Sequence, residues 1–287
     1  MASAEPRPGA SLLAAFYFRR LAAIDGEVLD WKDDEPPRRV AIDASHVTVA
    51  KDESYAIDRG GRLLMWTPAG EPRPILASVA YAAAGESRVL AVLRDGTLVS
   101  RRRAEHDWRT EARDVAQAWV GDSSDYYVTL DGRLFAAGLA HRGQYGDGLL
   151  TSVEGWKQVA EDVAFVCAHT GHAVLLKRDG TVEGTGGNRF GPLGRHGFGD
   201  KADCWGPIFA GAVRIATGAR HTLAVDRDRT LWIWGQNEGL EPKRALERVV
   251  DIAAGDCASV ALTADGRLWC WRTGAPPAPA FPPSPRP

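Results

Sequence analysis

The sequence has no charge excess of either sign, no cysteine pair at motif spacing, no long apolar run and few helical periods. Its 35 Lys and Arg stand against 37 Asp and Glu, a formal net charge of -2. Duplex binders carry a basic excess because phosphate neutralisation supplies most of their affinity, so nucleic acid is not the expected partner. Cys167, Cys204, Cys257 and Cys270 form no C-x-x-C pair, which leaves zinc-ribbon and dithiol-redox chemistry without support. They are expected as buried free thiols in a reducing compartment. The apolar run at residues 11–18 is too short to span a membrane, no small-residue cleavage site follows it, and Arg19 and Arg20 come next. The expectation is a cytoplasmic protein with no membrane contact.

What the chain does have is apolar mass, 45% of its residues, and internal repetition. Residues 163–187, 213–239 and 249–274 share one order: an apolar strand ending in small residues, a short turn, a second apolar strand, a tight turn and a third strand. The tight turn recurs at Asp25-Gly26, Gly60-Gly61, Asp95-Gly96, Asp131-Gly132, Asp179-Gly180, Asp228-Arg229 and Asp265-Gly266, at spacings of 35, 35, 36, 48, 49 and 37 residues. Asp-Gly accepts the positive φ that both central positions of a two-residue type I′ hairpin demand, so such hairpins are predicted, with mild strain at Arg229. In Thr230-Leu-Trp-Ile-Trp234 both strand faces are apolar, which requires cover on both sides. Radially stacked blades supply that cover, whereas a two-sheet sandwich leaves one face polar.

The predicted fold is all-β, a seven-bladed β-propeller of four-stranded blades over residues 12–274, after an N-terminal extension at 1–11. Residues 74–77, 156–159 and 207–210 are expected outer strands. The proline-rich tail at 275–287 is either a disordered polyproline segment or, through 278–283, the outer strand of the first blade that closes the ring.

At this level the residues resemble a known family. Ala216-Thr-Gly-Ala-Arg-His-Thr-Leu-Ala-Val225 and Leu231-Trp-Ile-Trp-Gly-Gln-Asn237 are similar to two elements of the regulator-of-chromosome-condensation repeat. Gly143-Gln-Tyr-Gly-Asp-Gly148 and Gly191-Pro-Leu-Gly194 look like altered copies of its glycine-rich element. The resemblance runs from residue 12 to 274 and is strongest in the last four repeats. It implies a seven-bladed propeller that hosts unrelated activities. Exchange-factor members act on a small GTPase through a protruding wedge, for which repeats as short as 35 residues leave little room. Photoreceptor members carry Gly-Trp-Arg-His-Thr, where this chain has Gly218-Ala-Arg-His-Thr222. A bacterial β-lactamase inhibitor shares the compact repeats, which implies tight protein–protein inhibition.

Searching for catalysis yields little. His169 and His172 stand three apart, but His172 aligns with His221 of the next repeat, so both read as repeat histidines bonded to backbone. Gly184-Thr-Gly-Gly187 coincides with the repeat's own turn, and no Gly-x-Ser-x-Gly, Walker or dinucleotide pattern sits in a strand–helix context. The expected protein is no enzyme, takes no cofactor and binds no metal. Trp31, Trp66, Trp232, Trp234, Trp269 and Trp271 follow the tight turns and are expected between blades. Trp108, Trp119, Trp156 and Trp205 lie outside that register and, if exposed, keep a carbohydrate-binding alternative open.

The reading that remains is a non-catalytic protein-binding propeller, monomeric alone, acting as an inhibitor or neutralising partner of another protein; exchange on a small GTPase is the alternative. In propellers the loops at the rims carry function. The short turns before each second strand contribute Glu53, Arg88, Asp122, Asp125, nearby Tyr126, His169, Arg220 and Asp256 as candidates. The enlarged loops at 139–156 and 189–205 add Arg189, Phe190, Arg195 and Trp205.

Overall fold

In a computed structural model, which describes residues 11–16, 19–32, 35–194 and 199–281, the described residues form seven antiparallel four-stranded sheets and no helix. The sheets follow one another without interruption. Blade one covers residues 13–40, two 44–76, three 79–112, four 115–160, five 163–209, six 212–246 and seven 249–279. First strands pack against first strands all the way round, and the first strand of blade one, Leu13–Phe16, meets that of blade seven, Val249–Ala254. The expected outer strands are present, as Arg73–Leu76, Val153–Ala160 and Lys201–Phe209.

The tight turns differ from expectation in six blades. Only Asp25 and Gly26 of blade one both take positive φ, at 53° and 80°, as a two-residue type I′ loop requires. Elsewhere the loop has three residues. In blade two Gly61 N bonds to Asp58 O at 2.9 Å and Asp58 N to Arg62 O at 3.0 Å, and only Gly61 has positive φ. This is a type I turn closed by one left-handed residue in a bulge. The pattern continues through Gly96, Gly132, Gly180 and Gly266, and in blade six the left-handed residue is Arg229, φ 62°. The turn carbonyl then receives the next blade: Val79 N donates to Gly61 O, Val115 N to Gly96 O and Val249 N to Arg229 O, at 2.8 to 2.9 Å.

Apolar clusters fill every seam between blades. Trp66 and Trp234 are fully buried there, and Trp31 and Trp271 nearly so. At the closing seam, Asp251 of blade seven accepts Leu12 N at 2.7 Å, Leu13 N at 3.1 Å and Ser11 Oγ at 3.0 Å. The proline-rich tail does not complete blade one, whose outer strand is Arg38–Val40. Ala278–Pro279 pairs instead with Leu268–Arg272 as the outer strand of blade seven. Phe281 then crosses the seam and meets the Trp31 ring edge-on at 5.4 Å. Positions 282 and 283 of the expected strand lie outside the described residues.

Candidate functional site

In a four-stranded antiparallel blade the loop after the first strand and the loop after the third lie on the same rim. The short turns and the enlarged loops are therefore parts of one surface, and hydrogen bonds tie them together. Leu139 N donates to Ser123 O at 2.8 Å, Arg103 Nε to Glu53 Oε2 at 2.8 Å, and Arg220 Nη1 to Gln236 Oε1 at 3.0 Å.

At the centre of this rim His169 closes over the axial channel. It is 7% exposed and reaches from blade five to Asp256 Oδ1 of blade seven, 3.2 Å from Nε2, with Asp122 Oδ2 of blade four 3.5 Å from Nδ1. Thr170 Oγ1 donates to Asp122 at 2.7 Å, and the Phe16 ring of blade one stacks near the imidazole at 6.3 Å. Below lies a cavity of about 210 Å³ lined by first strands, with Tyr81, Trp119, Phe165 and Arg214 among its walls. Thus Asp122, His169 and Asp256, far apart in sequence, come together. They form a plug, and among the described residues no cluster of His, Cys, Asp or Glu could hold a metal.

Other expected contact residues belong to the seams. Arg88 pairs with Asp125 of the next blade, and burial pushes the Asp125 carboxyl up to about 6 against the pull of that guanidinium. Tyr126 is fully buried and donates its hydroxyl to Gln144 O at 2.8 Å. Asp125 and Tyr126 are thus structural: on alternate faces of the second strand, Asp125 pairs with Arg88 of blade three and Tyr126 is buried in the cluster between blades four and five. Glu53, which also takes the Tyr55 hydroxyl, is held by Arg103. His172 and His221 occupy equivalent positions but bond to side chains of the next blade, not to backbone: His172 Nε2 to Thr217 Oγ1 and His221 Nε2 to Ser259 Oγ, each at 2.7 Å. Burial lowers both imidazoles to about 3, so they are neutral at physiological pH. His46 does bond to backbone, Nε2 to Ala82 O at 2.7 Å while Nδ1 accepts Ser11 N, and burial lowers it to about 4.

The tryptophans outside the turn register are half-buried. Trp119 donates to Ala168 O at 2.8 Å, Trp156 to Glu111 Oε2 at 3.0 Å, and the Trp108 face carries the Arg101 guanidinium. Trp205 lies flat on Gly146, where a Cβ would sit 2.5 Å from the indole. No stacked, open indole pair remains among these four for a sugar ring.

The enlarged loops are anchored forward. Thr185 Oγ1 of blade five donates to Gly143 O at 2.7 Å, and Tyr145 is fully buried with its hydroxyl on Gly138 O. Pro192 O accepts Thr222 Oγ1 at 2.8 Å and Trp234 Nε1 at 2.9 Å from blade six, and Leu193 is fully buried. On these seated loops stand four of the seven exposed large apolar side chains among the described residues, Leu139, Leu149, Leu150 and Phe190, and a fifth, Leu240, lies at the start of the blade-six outer strand, Gly239–Leu246. Arg220 lies over the Phe190 ring at 4.4 Å and Arg189 at 5.9 Å. Leu240 of blade six rests on Gly191, where a Cβ would meet its Cδ2 at 2.2 Å. Arg195 lies outside the described residues. Sequence reasoning missed Leu139, Leu149, Leu150, Leu240 and Arg142; adjacent leucines at 149–150 inside a predicted loop were the available signal.

These features define an all-β repeat propeller with one elaborated rim. Residues 212–238 and 249–271 match the profile of the regulator of chromosome condensation (RCC1) repeat, so blades six and seven carry that repeat. The chain is 30% identical over 183 residues to the human E3 ubiquitin-protein ligase HERC2, covering 54% of this chain and 4% of that protein. It is 29% identical over 178 residues to the mitochondrial RCC1 domain-containing protein RUG3 of Arabidopsis thaliana, covering 50% and 39%. With the ultraviolet-B receptor UVR8 of the same plant it shares 27% identity over 184 residues, covering 55% and 41%. The chain therefore spans less than half the length of these relatives. Among solved structures it is similar to Prp20p of Saccharomyces cerevisiae, with TM-score 0.75, 15% identity and coverage of 87% of this chain and 81% of that one. Human WBSCR16 gives TM-score 0.73, 15% identity and coverage of 86% and 85%. At such identities the likeness establishes the fold.

Proposed function

We propose that the chain is a non-catalytic module that holds a partner protein on its loop rim and thereby neutralises or inhibits it. The observation that carries this reading is the exposure of Leu139, Leu149, Leu150, Phe190 and Leu240 on the loops and outer-strand start of three consecutive blades. Exposed apolar side chains, one of them covered by arginine, suit a protein interface. The buried imidazoles of His46, His172 and His221 are spent on hydrogen bonds that join blades, which supports a scaffold role over acid–base chemistry. Prp20p offers a parallel, since its binding is to Gsp1p and histones.

The test is an affinity capture with the immobilised chain, run beside the rim variant Phe190→Ser/Arg220→Glu and the opposite-rim variant Arg113→Glu/Arg227→Glu. A stoichiometric protein partner lost only with the rim variant is expected. A partner retained by the rim variant would overturn the reading.

A further inference from the structure

Over blades one to three the rim carries Glu35, Asp52, Glu53, Glu71, Glu86, Glu105 and Asp107 beside the exposed Lys51 and Arg73, and Arg38 is paired with Glu71, Arg103 with Glu53 and Arg88 with Asp125. Over blades four to six Asp147 is neutralised by Lys157 at 2.5 Å and Glu238 by Lys243 at 2.6 Å, while Asp200, Asp203 and Glu241 stay exposed. Arg142, Arg189 and Arg220 form no ion pair among the described residues. Arg142 and Arg189 are exposed, and Arg220 is half-buried between the Phe190 ring and Gln236. Two of these guanidinium groups, Arg189 and Arg220, stand over the exposed Phe190 ring, on a loop that is held in place by the next blade.

From this arrangement we propose that the blade four-to-six rim takes an acidic segment of a partner protein, in which carboxylates alternate with aliphatic anchors. The inference rests on the protein-binding reading above and names the class of partner. The chemistry is complementary in both respects. A guanidinium stacked on an aromatic ring keeps its edge N–H donors free, and those donors fit a carboxylate fork-to-fork. Phe190 and Leu240, with Gly191 cleared of any side chain between them, offer the apolar footing for an aliphatic anchor.

The experiment uses the full chain and three fluorescein-labelled twelve-residue peptides: alternating Leu-Glu, alternating Leu-Lys and alternating Ser-Glu. Binding is read as fluorescence anisotropy at low and physiological salt. The Leu-Glu peptide is expected to bind at least ~10-fold more tightly than either control, since each charged or apolar hot-spot contact is worth about a decade or more. Arg189→Glu/Arg220→Glu should lower that affinity at least ~10-fold, while Arg113→Glu/Arg227→Glu on the opposite rim leaves it within about twofold. Phe190→Ser tests the apolar part alone, and near-ultraviolet circular dichroism confirms that each variant is folded. Equal binding of Leu-Glu and Leu-Lys peptides, or equal loss with the opposite-rim variant, would overturn the proposal. If the peptides fail while a captured partner is still lost with Phe190→Ser/Arg220→Glu, the binding-module reading stands and only the acidic class falls. If the partner ignores that variant, both fall.

Discussion

Between blades one and two the polar link is a buried carboxylate. Asp30 takes Arg19 Nε at 2.9 Å and Nη2 at 2.6 Å, and also Ser54 Oγ and Trp66 Nε1 of the next blade. Between blades five, six and seven the link is a neutral imidazole that shares one hydrogen bond with a hydroxyl. Yet Arg19, Arg88, His172 and His221 all open the second strand of their blades. That position is an address on the seam, and the chemistry placed there varies. The early blades, where the repeat motif is weak, depend on keeping a charge partnered. The late blades depend on keeping a ring unprotonated.

Removing one partner of the ionic seam has the largest expected effect. Asp30→Ala leaves Arg19 buried without its carboxylate and should cost about 3–5 kcal/mol in denaturant unfolding. Replacing Arg19 and Asp30 together by apolar residues of similar volume should cost much less, and equal losses would show that packing, not charge, holds that seam.

Acid should act on the imidazole links, those between blades five, six and seven and that of His46 from blade two to blade three. The folded-state values of His46, His172 and His221 lie at about 4, 3 and 3, below the ordinary 6.5, so unfolding takes up protons. Their stabilisation is complete above pH 6.5 and is lost as the pH falls towards 4. Each histidine contributes about 1.4 kcal/mol per pH unit within that window. Asp125, raised to about 6, works in the opposite sense, because its folded form holds a proton more readily than the unfolded chain. Hydrogen exchange at pH 5 should therefore open the strands of blades five to seven before those of blade one. Uniform opening of all blades would remove the contrast.

A finer cut is the pair itself. His221→Ala strands the Ser259 hydroxyl and should cost about 1–3 kcal/mol, with Ser259→Ala recovering part of it in a double-mutant cycle. The smallest effect is a gain. Arg229 holds φ 62° at the loop position that five other blades give to glycine, so Arg229→Gly should stabilise by about 1 kcal/mol, read as a higher thermal midpoint.

Much of this architecture was legible because its signals are local. A residue in the left-handed region must be glycine or carry strain, so the seven turns announced themselves, Arg229 included. Whether the loop had two residues or three was not legible, since Asp-Gly suits the end of either. The seam chemistry was hidden for a different reason: Arg88 and Asp125 are 37 residues apart, and nothing in one blade's sequence names its neighbour's partner. The same distance disguised Asp125 as a surface residue. Phe190 and Arg220 were found on separate grounds, loop length and turn position, and only the shared rim brings the guanidinium over the ring. The tail misled because proline suits any free outer edge, and Trp31 as the seat of Phe281 is not written in the tail.

That seat has a consequence for how the molecule can be rearranged. Every blade is one uninterrupted stretch of chain, and the ring closes through Asp251 and the Phe281–Trp31 contact without a strand exchanged between its ends. Leu12 and Phe281 share one apolar cluster. A short peptide could therefore join them, and new ends could be opened at any of the tight turns. Order along the gene and order around the circle are separable here, so whole blades are the natural units for duplication, loss or exchange.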